Sequence, residues 1–181
     1  MQVRIKVILW LVIVLVGVHL ANSVVDGKLL QFGILPGNTS TLPYIFTAPF
    51  LHGSWAHLAN NLIGLIVFSA LCLLRGIRFY VLSSLFIITV TGSLVWILGR
   101  HAMHIGASGW VFGLWSLSIA TAWFDRKFYN IAIALFVLFF WGSMILGVLP
   151  NDPRISFESH LFGAVSGIVC AYFLVRRRGR K

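Results

Sequence analysis

Apolar residues in this chain come in long, nearly unbroken runs separated by short polar or charged breaks. Strict alternation, the mark of half-buried strands, is absent, and so is the narrow apolar stripe of a surface helix. Six runs cover about 5–24, 57–74, 79–98, 107–124, 128–148 and 157–175. Each comes close to the about 20 mostly apolar residues that a bilayer-spanning helix needs. The breaks between them carry turn or charge signals: Asp26-Gly27, Arg75-Gly76-Ile77-Arg78, Arg100, Asp125-Arg126-Lys127 and Pro150-Asn151-Asp152-Pro153. The pattern predicts an all-α membrane protein with six transmembrane helices in a single domain, 1–181. No second domain, low-complexity tract or internal repeat is evident.

One stretch breaks the rhythm. Residues 25–56 are rich in turn formers (Gly33, Pro36, Gly37, Asn38, Pro43, Pro49), yet hold Leu29, Leu30, Phe32, Ile34, Tyr44, Ile45, Phe46, Phe50 and Trp55. A loop this apolar is expected at the membrane interface, packed on the bundle, where aromatic side chains are at home.

Composition agrees with the pattern. The 181 residues are 59% hydrophobic and 10% charged, with mean hydropathy +0.95. Soluble domains carry about 25% charged residues, so this chain has too few to cover a water-facing surface. The net charge of +10 is not a nucleic-acid footprint, because the basic residues sit at the ends of apolar runs. Arg4, Lys6, Arg75, Arg78, Arg126, Lys127, Arg176, Arg177, Arg178, Arg180 and Lys181 fall on one side of the predicted membrane. Only Lys28, Arg100 and Arg154 fall on the other. Positive charge marks the cytoplasmic side, so both termini are expected there, as an even number of spans requires. The first run could instead be a cleaved signal peptide, with Arg4 and Lys6 before it and Ala21-Asn22-Ser23 after it. Its length and His19 favour a retained span. Cys72 and Cys170 lie inside apolar runs, match no metal or redox spacing, and are expected to be buried thiols.

Polar groups within spans are costly unless satisfied, and three blocks of them share one membrane side. His52, His57 and Asn61 lie at the start of the second run, with His57 and Asn61 four apart on one helix face. Alone, they would suit interfacial capping. Gly106-Ala107-Ser108-Gly109 opens the fourth run, followed by Gly113. Its small residues clear space around a hydroxyl, and helix-start N–H groups lack intrahelical acceptors, as stabilisation of a developing oxyanion requires. His160 opens the sixth run, with Gly163 and Gly167 further along the helix. Small-xxx-small faces on the fourth and sixth helices allow close approach and would bring Ser108 and His160 together. Serine needs a base to act as a nucleophile, and histidine is the usual one. The acids Asp26, Asp125, Asp152 and Glu158 all lie outside mid-span. Glu158, two residues from His160, points to roughly the opposite helix face, so a Ser–His dyad is favoured over a triad.

In this order and spacing, the three blocks resemble the rhomboid family of intramembrane serine proteases, over nearly the whole chain. The shared pattern comprises His52, His57, Asn61, Gly106, Ser108, Gly109, His160, Gly163 and Gly167. The resemblance implies a six-helix rhomboid-like bundle that hydrolyses peptide bonds of transmembrane substrates. It implies Ser108 as nucleophile, His160 as general base, and His57, Asn61 and the Ser108 N–H as oxyanion donors. His52 would support the oxyanion region and the entrance from water, and Gly106, Ala107 and Gly109 would shape it. The cavity is expected to be lined by His52, His57, Asn61, Ser108 and His160. The fifth helix would be a lateral gate. Two departures are visible: Phe112 stands where many relatives carry a tyrosine packed on the base, and Leu73 and Leu74 stand where some carry an acid.

No cofactor or metal is expected. The expected partners are transmembrane protein substrates and the lipid bilayer, and the location is a multi-pass protein of a bacterial inner membrane. An alternative is a catalytically inactive rhomboid-like protein that binds membrane helices. A metal or haem protein using His19, His52, His57, His101, His104 and His160 is a further rival, with His101 and His104 at ligand-like spacing but expected at the interface. A transporter lacks a mid-span charge to couple.

Overall fold

A computed structural model of the chain describes residues 1–150 and 155–176. The turn signal expected at Asn151, Asp152 and Pro153, with Arg154, and the basic residues Arg177, Arg178, Arg180 and Lys181 lie outside the described residues. The described residues form six α-helices joined by turns and short 3-10 segments: α1 Gln2–Val24, α2 Trp55–Leu73, α3 Ile77–Leu98, α4 Ser108–Phe124, α5 Phe128–Trp141 and α6 Phe157–Ala171. The fifth apolar run is not one helix. At Gly142 it tightens into a 3-10 segment, Gly142–Val148, where Gly142 and Ser143 replace strong helix formers. The sixth run ends in a π-helical turn, Tyr172–Arg176.

Among the described residues, five helical stretches are long and apolar enough to cross a bilayer: Gln2–Val24, Trp55–Leu73, Ile77–Leu98, Phe128–Val148 and Phe157–Val175. α4, with 17 residues, is about 26 Å long, shorter than the about 30 Å hydrocarbon core. At least one of its ends therefore stops inside the hydrocarbon depth. It can do so because it is the hub of the bundle, packed against α2, α3, α5 and α6. Large apolar side chains face outward on the outer helices: Trp10 is 65% exposed, Leu135 62% and Phe139 82%. A continuous apolar exterior of this kind is untenable in water; its solvent is lipid, and the protein is an integral membrane protein.

The α4–α6 contact is the tightest in the fold. A Cβ added at Gly163 would strike the Gly109 carbonyl, and one at Gly167 the Gly113 carbonyl. With no side chains between them the backbones meet directly, as at small-xxx-small crossings. Two hydroxyls then hold α6 in register: Ser116 Oγ donates to the Ala164 carbonyl at 2.7 Å, and Thr91 Oγ1 of α3 to Ser166 Oγ at 3.1 Å. α2 is seated on α4 at Gly64, which faces Val111.

Residues 25–54 fold as short 3-10 segments, Lys28–Phe32, Thr39–Phe46 and Ala48–Phe50. Ile45 and Ala48 are buried with Val95 of α3. Trp96 Nε1 donates to the Asn38 carbonyl at 2.9 Å, and Ile34 and His104 exchange backbone hydrogen bonds at 2.9 and 2.8 Å. This loop thus braces the end of α3 and the approach to α4. Cys72 and Cys170 are buried free thiols.

Candidate active site

Ser108 is the first residue of α4, and the segment before it is built backbone atom by backbone atom. Gly106 has φ +105°, a conformation open to glycine and unfavourable to residues with a Cβ. A Cβ there would also sit 2.6 Å from the His57 ring and 3.5 Å from Asn61 Nδ2. Gly106 N–H donates to the Ala48 carbonyl at 2.9 Å, and Ala107 N–H to His52 Nε2 at 3.4 Å. Both N–H groups preceding Ser108 are thereby engaged. The first N–H groups of α4 itself have no intrahelical acceptor and carry the positive end of the helix dipole.

His57 and Asn61, one turn apart on α2, converge on this turn from the opposite wall. Ser54 caps α2 by accepting from His57 N–H at 3.1 Å. Asn61 is buried, and its amide nitrogen has no hydrogen-bond partner. A buried unsatisfied donor is costly, and this one faces the ground just ahead of Ser108.

His160 lies in the first turn of α6, which Ser156 caps through Ser159 N–H at 3.2 Å. Its ring stacks on Phe112 of α4, with centroids 4.2 Å apart and planes 7° from parallel. Its Nδ1 lies 2.9 Å from the Gly147 carbonyl. A carbonyl only accepts, so Nδ1 carries the proton and Nε2 is left with a free lone pair.

A cavity of about 830 Å³ brings His57, Asn61, Ser108, Phe112 and His160 onto one wall system, with Arg100 and Ser156 at its edge. Within it the Ser108 hydroxyl and the His160 imidazole are not hydrogen-bonded to each other.

His52 differs from expectation. It does not line the cavity; it is fully buried behind the wall. Burial, reinforced by the His57 imidazole, pushes it down to about 4. It stays neutral, as it must for Nε2 to accept from Ala107 N–H. Its carbonyl in turn receives His19 Nδ1–H at 3.1 Å, and His19 packs edge-on against Trp55 at 4.5 Å. His19 was a polar residue inside an apolar run, a signal that could have placed it here. His104, expected at the interface, is instead buried, with Nδ1 2.6 Å from Ser156 Oγ and Nε2 3.0 Å from the Arg100 carbonyl. Both nitrogens are engaged by protein, which removes the ligand-like pair with His101. Glu158 is buried and paired with Arg100, Nε to Oε1 at 3.4 Å, rather than with His160. Gly147 had no distinguishing signal, since its backbone oxygen is what reaches the ring.

A family model described as the Rhomboid domain matches residues 39–177. An uncharacterized protein of Mycobacterium tuberculosis is 36% identical over 176 residues, which cover 92% of this chain and 73% of the relative. An uncharacterized protein of Mycobacterium leprae is 34% identical over 166 residues, 87% of this chain and 66% of that one. The protein described as Rhomboid-like protein 11, chloroplastic, of Arabidopsis thaliana is 32% identical over 136 residues, 73% of this chain and 49% of its own length.

Proposed function

The chain belongs to the rhomboid family, and on that premise we propose that it is an intramembrane serine endopeptidase cleaving transmembrane substrates. The observation that carries this reading is the shared cavity: Ser108 on α4 and His160 on α6 face it together, with the imidazole held so that Nε2 is its free base.

In the proposed reaction Ser108 Oγ attacks the scissile carbonyl while its proton passes to His160 Nε2. The oxyanion is met by the Ser108 N–H, the Asn61 amide and His57. His160 then gives its proton to the leaving amine, releasing one half of the substrate and leaving an ester on Ser108. Water entering the cavity gives a proton to His160 as it attacks the ester, and His160 returns that proton to Ser108 Oγ as the acid leaves. Preorganised donors at the developing charge are the largest contribution such a site makes, about 3–4 kcal/mol for one of them. Phe112 keeps the imidazole flat against α4, and the glycines at 109, 113, 163 and 167 set the distance between the two helices. Gly106 and Ala107 shape the turn that His52 holds from behind.

The placement of basic residues supports both termini in the cytoplasm and the site near the opposite face. With mycobacterial relatives, it favours a bacterial plasma membrane. α5, of whose span only 11% is buried, is the natural side door for a substrate helix. Its seam with α2 is bridged by Trp141 against Phe68, 5.8 Å between centroids.

The test is labelling of the detergent-solubilised protein with a fluorophosphonate, comparing wild type with Ser108→Ala and His160→Ala. Labelling of wild type alone supports an activated serine. Folded wild-type protein that does not label would refute the protease and leave a non-catalytic binder of membrane helices.

A further inference from the structure

We infer that the Gly147 carbonyl is the positioning group of the base, and that it ties the readiness of His160 to the seating of the gate segment 142–148. The inference rests on the proposed protease reading and deepens it. A serine site that lacks a carboxylate beside its histidine still needs something to choose the tautomer. Glu158, the acid nearest in sequence, is committed to Arg100. What meets His160 Nδ1 is the main-chain oxygen of Gly147 at 2.9 Å, a neutral acceptor that leaves Nε2 free to take the serine proton.

Three observations show that this contact is built in. Phe112 closes one face of the ring, at 4.2 Å, so the imidazole pivots only in its own plane, and the carbonyl fixes that pivot. Gly147 is also where a side chain would collide: an added Cβ would lie 2.8 Å from Phe112 Cζ and 3.6 Å from His160 Nδ1. Glycine alone lets this peptide approach the stacked pair. Finally, the carbonyl belongs to the Gly142–Val148 segment that continues α5, which makes most of its contacts with α4 and with that extension.

The consequence is a link between access and chemistry. A substrate helix entering between α2 and α5 must displace α5 and the segment it carries. While the segment is displaced, Nδ1 loses its acceptor and the imidazole is free to turn or to move its proton to Nε2. The base is set again only when residues 142–148 reseat around the bound chain. Cleavage is then confined to substrates that have entered and been closed over.

The experiment replaces Val148 with its α-hydroxy acid, which makes the Gly147 carbonyl an ester and a weaker acceptor without altering any side chain. The control replaces Met144 in the same way, weakening the Ser143 carbonyl in the same segment. Two readouts are taken on full-length protein: 15N NMR of His160, which reports which ring nitrogen holds the proton, and the rate of fluorophosphonate labelling. The expected result is Nδ1–H in wild type, a rising Nε2–H population in the Val148 ester, and about 5-fold slower labelling. The Met144 ester should match wild type. An unchanged His160 tautomer in the Val148 ester, or equal slowing in both esters, overturns the inference. Wild-type protein that never labels overturns the protease reading instead, and the tautomer measurement still decides the role of Gly147.

Discussion

Acidification from pH 7 to pH 5 should weaken the fold through His52. In the folded protein this imidazole is fully buried and titrates at about 4, whereas an unperturbed histidine titrates near 6.5. Between those values the unfolded chain binds close to one proton more at this site than the folded chain does. Stability therefore rises with pH through the window: it is fully present above about 6.5 and lost as pH falls towards 4. The whole shift corresponds to about 3 kcal/mol, of which about 2 kcal/mol is lost by pH 5. For a chain of this length that is a fall of about 4–8 °C in Tm. The assay is tryptophan-fluorescence melting in detergent at several pH values, with His52→Gln as comparison. Glutamine offers an oxygen near the position of Nε2 to accept from Ala107 N–H and does not titrate. The Tm advantage of wild type over His52→Gln should shrink as the pH falls. A gap that stays constant from pH 7 to pH 5 would refute the buried neutral histidine and its bond to the turn before Ser108.

Outcomes at four further positions follow from the packing. Gly163→Ala places a Cβ on the Gly109 carbonyl, so α4 and α6 must part; a loss of about 1–3 kcal/mol in melting and of probe labelling is expected. Gly17→Ala, where nothing lies within 4 Å of the added carbon, should leave both measurements unharmed. Phe112→Tyr should keep the ring on His160 and label within a few-fold of wild type, while Phe112→Ala should label much more slowly in protein that still melts cooperatively. Trp141→Ala removes the ring that meets Phe68 across the α2–α5 seam; it should raise the ratio of transmembrane-substrate cleavage to probe labelling, and an unchanged ratio would place substrate entry elsewhere.

The glycine spacing on the fourth and sixth runs pointed to the close helix crossing that sets Ser108 and His160 on one cavity, because such spacing is itself a packing instruction. Gly109 and Gly113 opposite Gly163 and Gly167 leave two backbones nothing to hold them apart. Ile34 and His104 could not be read the same way. They are joined by main-chain hydrogen bonds between two loops, and such bonds leave no trace in residue type.

Hydropathy along the chain was sufficient to determine an all-helical membrane protein and where its apolar runs lie, since the cost of placing side chains in lipid is local and additive. It did not determine that the fifth run tightens into a 3-10 segment at Gly142, that α4 stops short of the membrane thickness, that His52 stands behind the cavity instead of in it, or that a glycine carbonyl meets His160. Those were decided by tertiary packing. A backbone oxygen is the same in every residue, and whether a histidine meets water, a ring or a carbonyl depends on elements far away in sequence.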